Sequence, residues 1–238
     1  MTFMKKLRNR KTGDKGERSM WLVGIDEVGR GPLAGPVTVG AVAVEIDGRI
    51  ALTYKNLRKK LMEISGKKYP IGVDSKKMKE SERDFWYEVI LKLVKGGELI
   101  SVVSSSSAQM IDKRGIAVCI KNLVDTNLKK ISNKFKIKLS NSFAQMNVLL
   151  DGGLKTSVPV ASQKTIIKGD EKELLISLAS VYAKVTRDIY MKKLSKNSKY
   201  STYGFDIHKG YGTLKHRQTI LKHGLSDEHR RTFCKNIF

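Results

Sequence analysis

The first sustained apolar run, Trp21-Leu22-Val23-Gly24-Ile25, is short and stops at Asp26-Glu27. A run of that length predicts a buried strand. The glycines and prolines of Gly29-Arg30-Gly31-Pro32 and Gly35-Pro36 then predict a turn. The β-branched run from Val37 to Glu45 predicts a second strand paired with the first. Residues 49–70 are lysine-rich and weakly patterned, which predicts a loop with a helical piece. Helical spacing returns over 81–95, with Phe85, Val89 and Leu93 in step, Ser81 as candidate N-cap and Gly96-Gly97 as the stop. A third strand is predicted over 98–104, a helix over 109–131, a fourth strand over 147–150 and a fifth over 165–167. In the helix predicted over 171–194, Leu174, Leu178, Val181 and Val185 recur at steps of four, three and four. A last helix is predicted over 213–223. This order predicts a mixed α/β sheet and excludes a sandwich or a helical bundle.

A chain of 238 residues with 40% hydrophobic content suits one large domain, or a domain with an appendage. Residues 1–19 are charged and aperiodic and predict a flexible basic arm. Charge changes the picture more. Lys and Arg number 46 against 23 Asp and Glu, a net +23. Such a chain binds polyanions, of which nucleic acid is the usual one; a lysine-biased composition or an anionic membrane surface would also account for the charge. The two cysteines, Cys119 and Cys234, form no CxxC, which favours a reducing cytoplasm over a disulfide frame. No apolar run reaches the ~18 residues of a membrane span, and no signal-peptide h-region is present.

Three carboxylates stand where a fold does not ordinarily want them. Asp26 and Asp151 each end an apolar strand, a position common at ligand crevices of α/β sheets, although a turn-forming Asp before Gly152-Gly153 explains Asp151 equally well. Asp188 continues the apolar stripe 174, 178, 181, 185. A buried charge is costly unless paired or bound to metal; Lys184 and Arg187 are the alternative partners, and fraying of the helix is another explanation. Asp26 and Glu27 are adjacent, so in a strand they point to opposite faces. A shared site then requires a twist or bulge, which Gly24 and Gly29 would permit. Converging carboxylates repel, and hard divalent cations such as Mg²⁺ or Mn²⁺ remove that cost. Two such ions could activate water and stabilise a leaving oxygen. Zinc is disfavoured because all four histidines (208, 216, 223, 229) lie near the C-terminus.

The segment from Gly24 to Val37, GIDEVGRGPLAGPV, resembles the first signature of the ribonuclease HII family. The resemblance continues in order through DSKK at 74–77, LLDG at 149–152, KGD at 168–170, ASVYAKVTRD at 179–188, HKGYGT at 208–213 and HRRTF at 229–233. It implies a ribonuclease H-like fold, a five-stranded mixed sheet flanked by helices with a small helical C-terminal part. The division is then a catalytic domain at 20–194 and a substrate-binding part at 195–238, after the arm. The resemblance makes Asp26, Glu27, Asp151 and Asp188 the catalytic, metal-binding set, holding Mn²⁺ or Mg²⁺. It gives Gly29, Arg30 and Gly31 to the ribonucleotide and Tyr211 to the following deoxyribose. Lys76, Lys77, Lys168, Lys184 and Lys209 fall inside the matched motifs and are expected on phosphates.

The implied reaction is two-metal hydrolysis 5′ of a ribonucleotide, in RNA–DNA hybrids or embedded in duplex DNA, by a cytoplasmic monomer. The alternatives are a ribonuclease HIII-like enzyme and a non-catalytic RNA- or DNA-binding protein. The chain departs from the family pattern at Glu173–Leu178, bulkier than usual, and at Ser104–Ala108, which lacks the usual proline-glutamate.

Overall fold

The structure, a computed structural model, describes residues 20–46, 50–66, 75, 77–134 and 142–237. The predicted arm and Lys76 lie outside the described residues. Five strands form one sheet: β1 (Met20–Val28), β2 (Val37–Ile46), β3 (Ile100–Ser106), β4 (Met146–Asp151) and β5 (Ser162–Ile166), in the order β3-β2-β1-β4-β5. β2 runs antiparallel to β1 and β3, while β4 and β5 run parallel to β1. The helices are α1 (Ile50–Ser65), α2 (Glu80–Lys95), α3 (Ala108–Arg114), α4 (Ile116–Lys134), α5 (Gly169–Lys172), α6 (Leu174–Ser195), α7 (Phe205–His208) and α8 (Leu214–His223).

Period-two alternation on β1 builds a core on each side of the sheet. Leu22 packs with Val42, Leu149, the apolar residues of α6 and Trp86 and Ile90 of α2. Val23 and Ile25 pack with Val39, Val148, Leu150 and Ile120, Val124 and Leu128 of α4. The result is a three-layer α/β/α domain. α6 lies unusually close to the sheet because Gly24 and Gly40 lie beneath it. A Cβ on Gly24 would fall 2.3 Å from the Leu175 carbonyl carbon, and one on Gly40 would fall 2.5 Å from the Ala179 oxygen.

Several local expectations are corrected. Residues 50–65 form a full helix rather than a loop with a helical piece. α2 starts one residue before Ser81, and its N-cap is Lys79, whose backbone N–H donates to the Glu82 carboxylate at 2.7 Å. The helix expected over 109–131 is two, broken at Gly115, where φ is +78°. The fifth strand begins at Ser162, earlier than its apolar letters suggested.

Candidate active site

Parallel pairing of β1 with β4 ends at Ile25↔Leu150. The next residue on each strand is a carboxylate, so the ladder itself delivers Asp26 and Asp151 side by side. Glu27 joins them, and ligand oxygens of Asp26, Glu27 and Asp151 all lie within 4.8 Å of one another. Of the twist or bulge expected, no bulge is present: the β1–β2 register is unbroken from Met20↔Ile46 to Val28↔Thr38. Adjacent strand residues can share the site because the β4 partner has ended, which opens the edge between the two sheet faces.

Each acid is individually positioned. Asp26 is 6% exposed. Its Oδ1 accepts the Glu27 N–H at 2.8 Å, and it also bonds the Ser180 hydroxyl of α6. Ser180 in turn shares a 2.8 Å hydrogen bond with Ser75. Asp151 Oδ1 accepts the Gly169 N–H at 2.6 Å. Burial pushes the Asp26 carboxyl well above its ordinary range, opposed by the Ser180 hydrogen bond and reinforced by Glu27 and Asp151. Burial likewise raises Glu27, against the pull of Arg30, whose Nη1 lies 3.4 Å from Glu27 Oε1. A partly buried, all-oxygen, mutually repelling donor set fits a hard divalent cation.

Asp188 is buried but is not part of the trio. Lys184, one turn earlier on α6, places Nζ 2.7 Å from both its oxygens. Burial pulls the Lys184 ammonium below its usual range, and Asp188 opposes that pull. Arg187, the other sequence candidate for Asp188, is engaged elsewhere.

The loop from Gly29 to Pro36 wraps two buried arginines. Arg187 donates to the carbonyls of Ala34, Pro36 and Lys209 at 3.1, 2.9 and 3.0 Å. Arg230 donates to those of Gly29, Arg30 and Gly35 at 2.6, 3.1 and 3.0 Å. Burial, helped by the neighbouring Arg187, draws the Arg230 guanidinium down to about 9. Gly29 has φ +82°, and a Cβ there would lie 2.4 Å from Arg187 Nε, so glycine is required twice over. The C-terminal part closes on the same loop. Leu33 and Ala34 N–H groups meet the Gly210 carbonyl at 2.9 and 3.3 Å, and Ala34 forms a bridge with His229. Arg30 and Gly31 are exposed, and so, at 38%, is Tyr211, whose ring lies 5.9 Å from the Arg187 guanidinium carbon.

The expected phosphate lysines divide. Lys77 is ion-paired with Glu171, and Lys184 with Asp188. Lys168 is exposed, with φ +56°, just ahead of α5. Lys209, with φ +51°, is partly buried beside Arg187. The sequence reading missed Lys121 and Lys155. With Arg30, which pairs with Glu27, and Gly153 and Leu154 they line a cavity of about 210 Å³. Its walls are tied together by Asp125 of α4, which accepts from the Thr156 and Ser157 hydroxyls at 2.5 and 2.7 Å. Ser180, Arg187 and Arg230 were also not identified as parts of the site. Their signal was a polar residue placed inside a largely apolar helix, or in a terminal segment.

A five-stranded mixed sheet with carboxylates converging at the ends of β1 and β4 defines a hydrolytic nuclease of the ribonuclease H-like class. The solved structures it resembles agree on the fold. Ribonuclease HII from Archaeoglobus fulgidus, solved in complex with PCNA, has a TM-score of 0.57 at 23% identity, over 89% of this chain and 94% of its own. Ribonuclease H2 from Pyrococcus horikoshii OT3 has 0.57 at 20% identity, over 92% of this chain and 97% of its own. A Bst-RNase HIII solved with Mn²⁺ has 0.58 at 14% identity, over 90% of this chain and 67% of its own.

Sequence identifies the particular family. The profile of the ribonuclease HII family matches residues 23–238. Ribonuclease HII of Bacillus cytotoxicus is 38% identical over 216 residues, covering 90% of this chain and 68% of that one. Ribonuclease HII of Bacillus cereus strain Q1 is 38% identical over 214 residues, 90% of this chain and 69% of that one. The chain belongs to the ribonuclease HII family and is a ribonuclease H.

Proposed function

We propose that the protein hydrolyses the phosphodiester 5′ of a ribonucleotide, within RNA–DNA hybrids and at single ribonucleotides embedded in duplex DNA. The observation that carries this reading is the carboxylate trio of Asp26, Glu27 and Asp151 beside the exposed Arg30-Gly31 backbone. Only the 2′-hydroxyl separates RNA from DNA at one position, and an exposed glycine-flanked backbone can approach a sugar closely.

Asp26, Glu27 and Asp151 would hold Mn²⁺ or Mg²⁺, with Asp188 added where Lys184 transfers its contact to a substrate phosphate. The Mn²⁺ in the Bst-RNase HIII structure supports this class of ion. When bound, such ions acidify a water and neutralise the leaving 3′ oxygen. Asp26 and Glu27, raised by burial, are the groups that gain most from such a countercharge. The Tyr211 ring offers a flat apolar surface for the deoxyribose that follows. Lys168, Lys209, Lys77 and the cavity cations Lys121 and Lys155 would take backbone phosphates.

The test is cleavage, with Mn²⁺, of a duplex carrying one ribonucleotide beside an all-DNA control. Cutting of the first alone supports the reading. Cutting of both points to a resolvase-like nuclease, and tight binding without cutting points to a binding protein. Asp26→Asn is expected to abolish cleavage while duplex affinity is retained; near-normal turnover would rule out the metal assignment.

A further inference from the structure

Arg187 and Arg230 are 1% and 0% exposed. Neither is ion-paired among the described residues. A buried guanidinium is tolerated when its donors are met, and here the acceptors are six main-chain carbonyls, five of them in the Gly29–Pro36 loop. The geometry has a directional consequence. In a trans peptide the C=O and the following N–H point opposite ways. Arg230 draws the carbonyls of Gly29 and Arg30 inward, at 2.6 and 3.1 Å. The N–H groups in those same two peptide planes belong to Arg30 and Gly31, and are therefore turned outward. Neither has a hydrogen-bond acceptor among the described residues. The loop thus presents two adjacent unused donors three and four residues after Glu27.

We infer that Arg230 is a positioning residue for ribonucleotide recognition: its forked guanidinium sets the Gly29–Arg30 and Arg30–Gly31 peptide planes so that their N–H groups meet the sugar hydroxyl, while Arg187 anchors the far end of the same loop. The inference rests on the functional reading above. A guanidinium suits the task because its rigid fork spans two consecutive carbonyls, which a single ammonium does not. The arrangement also explains why a C-terminal residue governs a loop some 200 positions earlier. Residues 195–237 close over the loop and carry the clamp for its backbone.

The test compares wild type with Arg230→Lys, which keeps the charge and loses the fork. The readouts are kcat/KM on a duplex with one embedded ribonucleotide, and the inhibition constant of an all-DNA duplex of the same sequence. The expected result is a loss of tenfold or more in kcat/KM, with the all-DNA constant unchanged within about twofold. General damage to the fold would weaken both. Lys-variant activity equal to wild type, in a wild type that prefers the ribonucleotide duplex, overturns this inference alone. A wild type without that preference overturns the functional reading, and this inference with it.

Amide hydrogen exchange on wild type needs no variant. Arg30 and Gly31 should exchange fast in the free protein, slow with the ribonucleotide duplex, and remain fast with all-DNA duplex. Protection in the free protein, or equal protection by both duplexes, overturns the assignment.

Discussion

Acid should weaken this protein through two histidines that the fold requires to be neutral. His216 Nδ1 donates to the Tyr211 carbonyl at 2.9 Å, which leaves its Nε2 as an acceptor 3.1 Å from His229 Nε2. His229 Nδ1 accepts the Ser226 N–H at 3.0 Å. One proton lies between the rings, and every other position is taken. A second proton would set two N–H groups head to head, or one against the Ser226 amide. Burial lowers both from 6.5 to about 4, with His208 adding to it at each and His216 also at His229.

The unfolded chain therefore binds more protons between those values. Stability is complete above about pH 6.5 and is lost as pH falls toward 4. The fall corresponds to roughly 3 kcal/mol per histidine, and to less than twice that for the pair because they share one hydrogen bond. Against a typical 5–15 kcal/mol, that is a large fraction. Asp26 and Glu27 act in the opposite sense. Their raised carboxyls favour the fold as pH falls through their range, so the raw pH profile mixes both effects.

His229→Gln separates them, since the amide still donates toward His216 while one titrating group is gone. Urea midpoints from pH 7.5 to 4.5 should show the wild-type advantage shrinking by about 2–3 kcal/mol. Imidazole NMR titrations should give wild-type midpoints near 4. Midpoints near 6.5, or an advantage independent of pH, would refute the reasoning. His229 also bridges to Ala34, so loss of the pair should loosen the recognition loop before the sheet melts.

Three further outcomes follow from the packing and charge. Gly40→Ala places a Cβ 2.5 Å from the Ala179 carbonyl oxygen, a backbone atom with no rotamer to yield; about 1–3 kcal/mol of stability should be lost in urea titrations, and kcat should drop as α6 shifts Ser180 and Lys184. In chelator, Asp26→Asn should melt higher than wild type, because an ionised carboxylate has been removed from a buried, repulsive site; millimolar Mn²⁺ should raise the wild-type Tm and barely move the variant's. Reversal of either order would contradict the electrostatics described. Replacing Lys121 and Lys155 by Ala should weaken binding to any duplex and flatten log K against log salt by about 0.9 for every phosphate no longer neutralised; an unchanged slope would remove the cavity from the interface.

Much of the sheet is legible in the letters, because strand-length apolar runs ending in turn residues have few other uses. Val37 to Glu45 is nearly the whole of β2, and Leu174, Leu178, Val181 and Val185 do mark a buried stripe on α6. Periodicity failed where a backbone dihedral decides. Gly115 breaks a pattern that reads as one helix, and β5 carries polar residues at its start because only parts of it are covered.

The candidate site divides in the same way. Burial and strand-end placement single out Asp26 and Asp151, since both are local properties of an apolar run stopping at an acid. Their proximity is not local: it depends on β1 and β4 pairing in parallel and in a register that ends one residue before each. Asp188 was visible as a carboxylate on an apolar stripe, but the choice between Lys184 and Arg187 as its neighbour was open, and side-chain reach on the folded helix decided for Lys184.

The sequence alone determined the family, the basic charge and the order of elements, because propensity, periodicity and motif letters act over short stretches of chain. Only the tertiary structure decided that two arginines turn the glycine loop's carbonyls inward and that two histidines lock the C-terminal part as neutral rings. Those arrangements join residues far apart in sequence, and their energies exist only once burial has removed water as the competing partner.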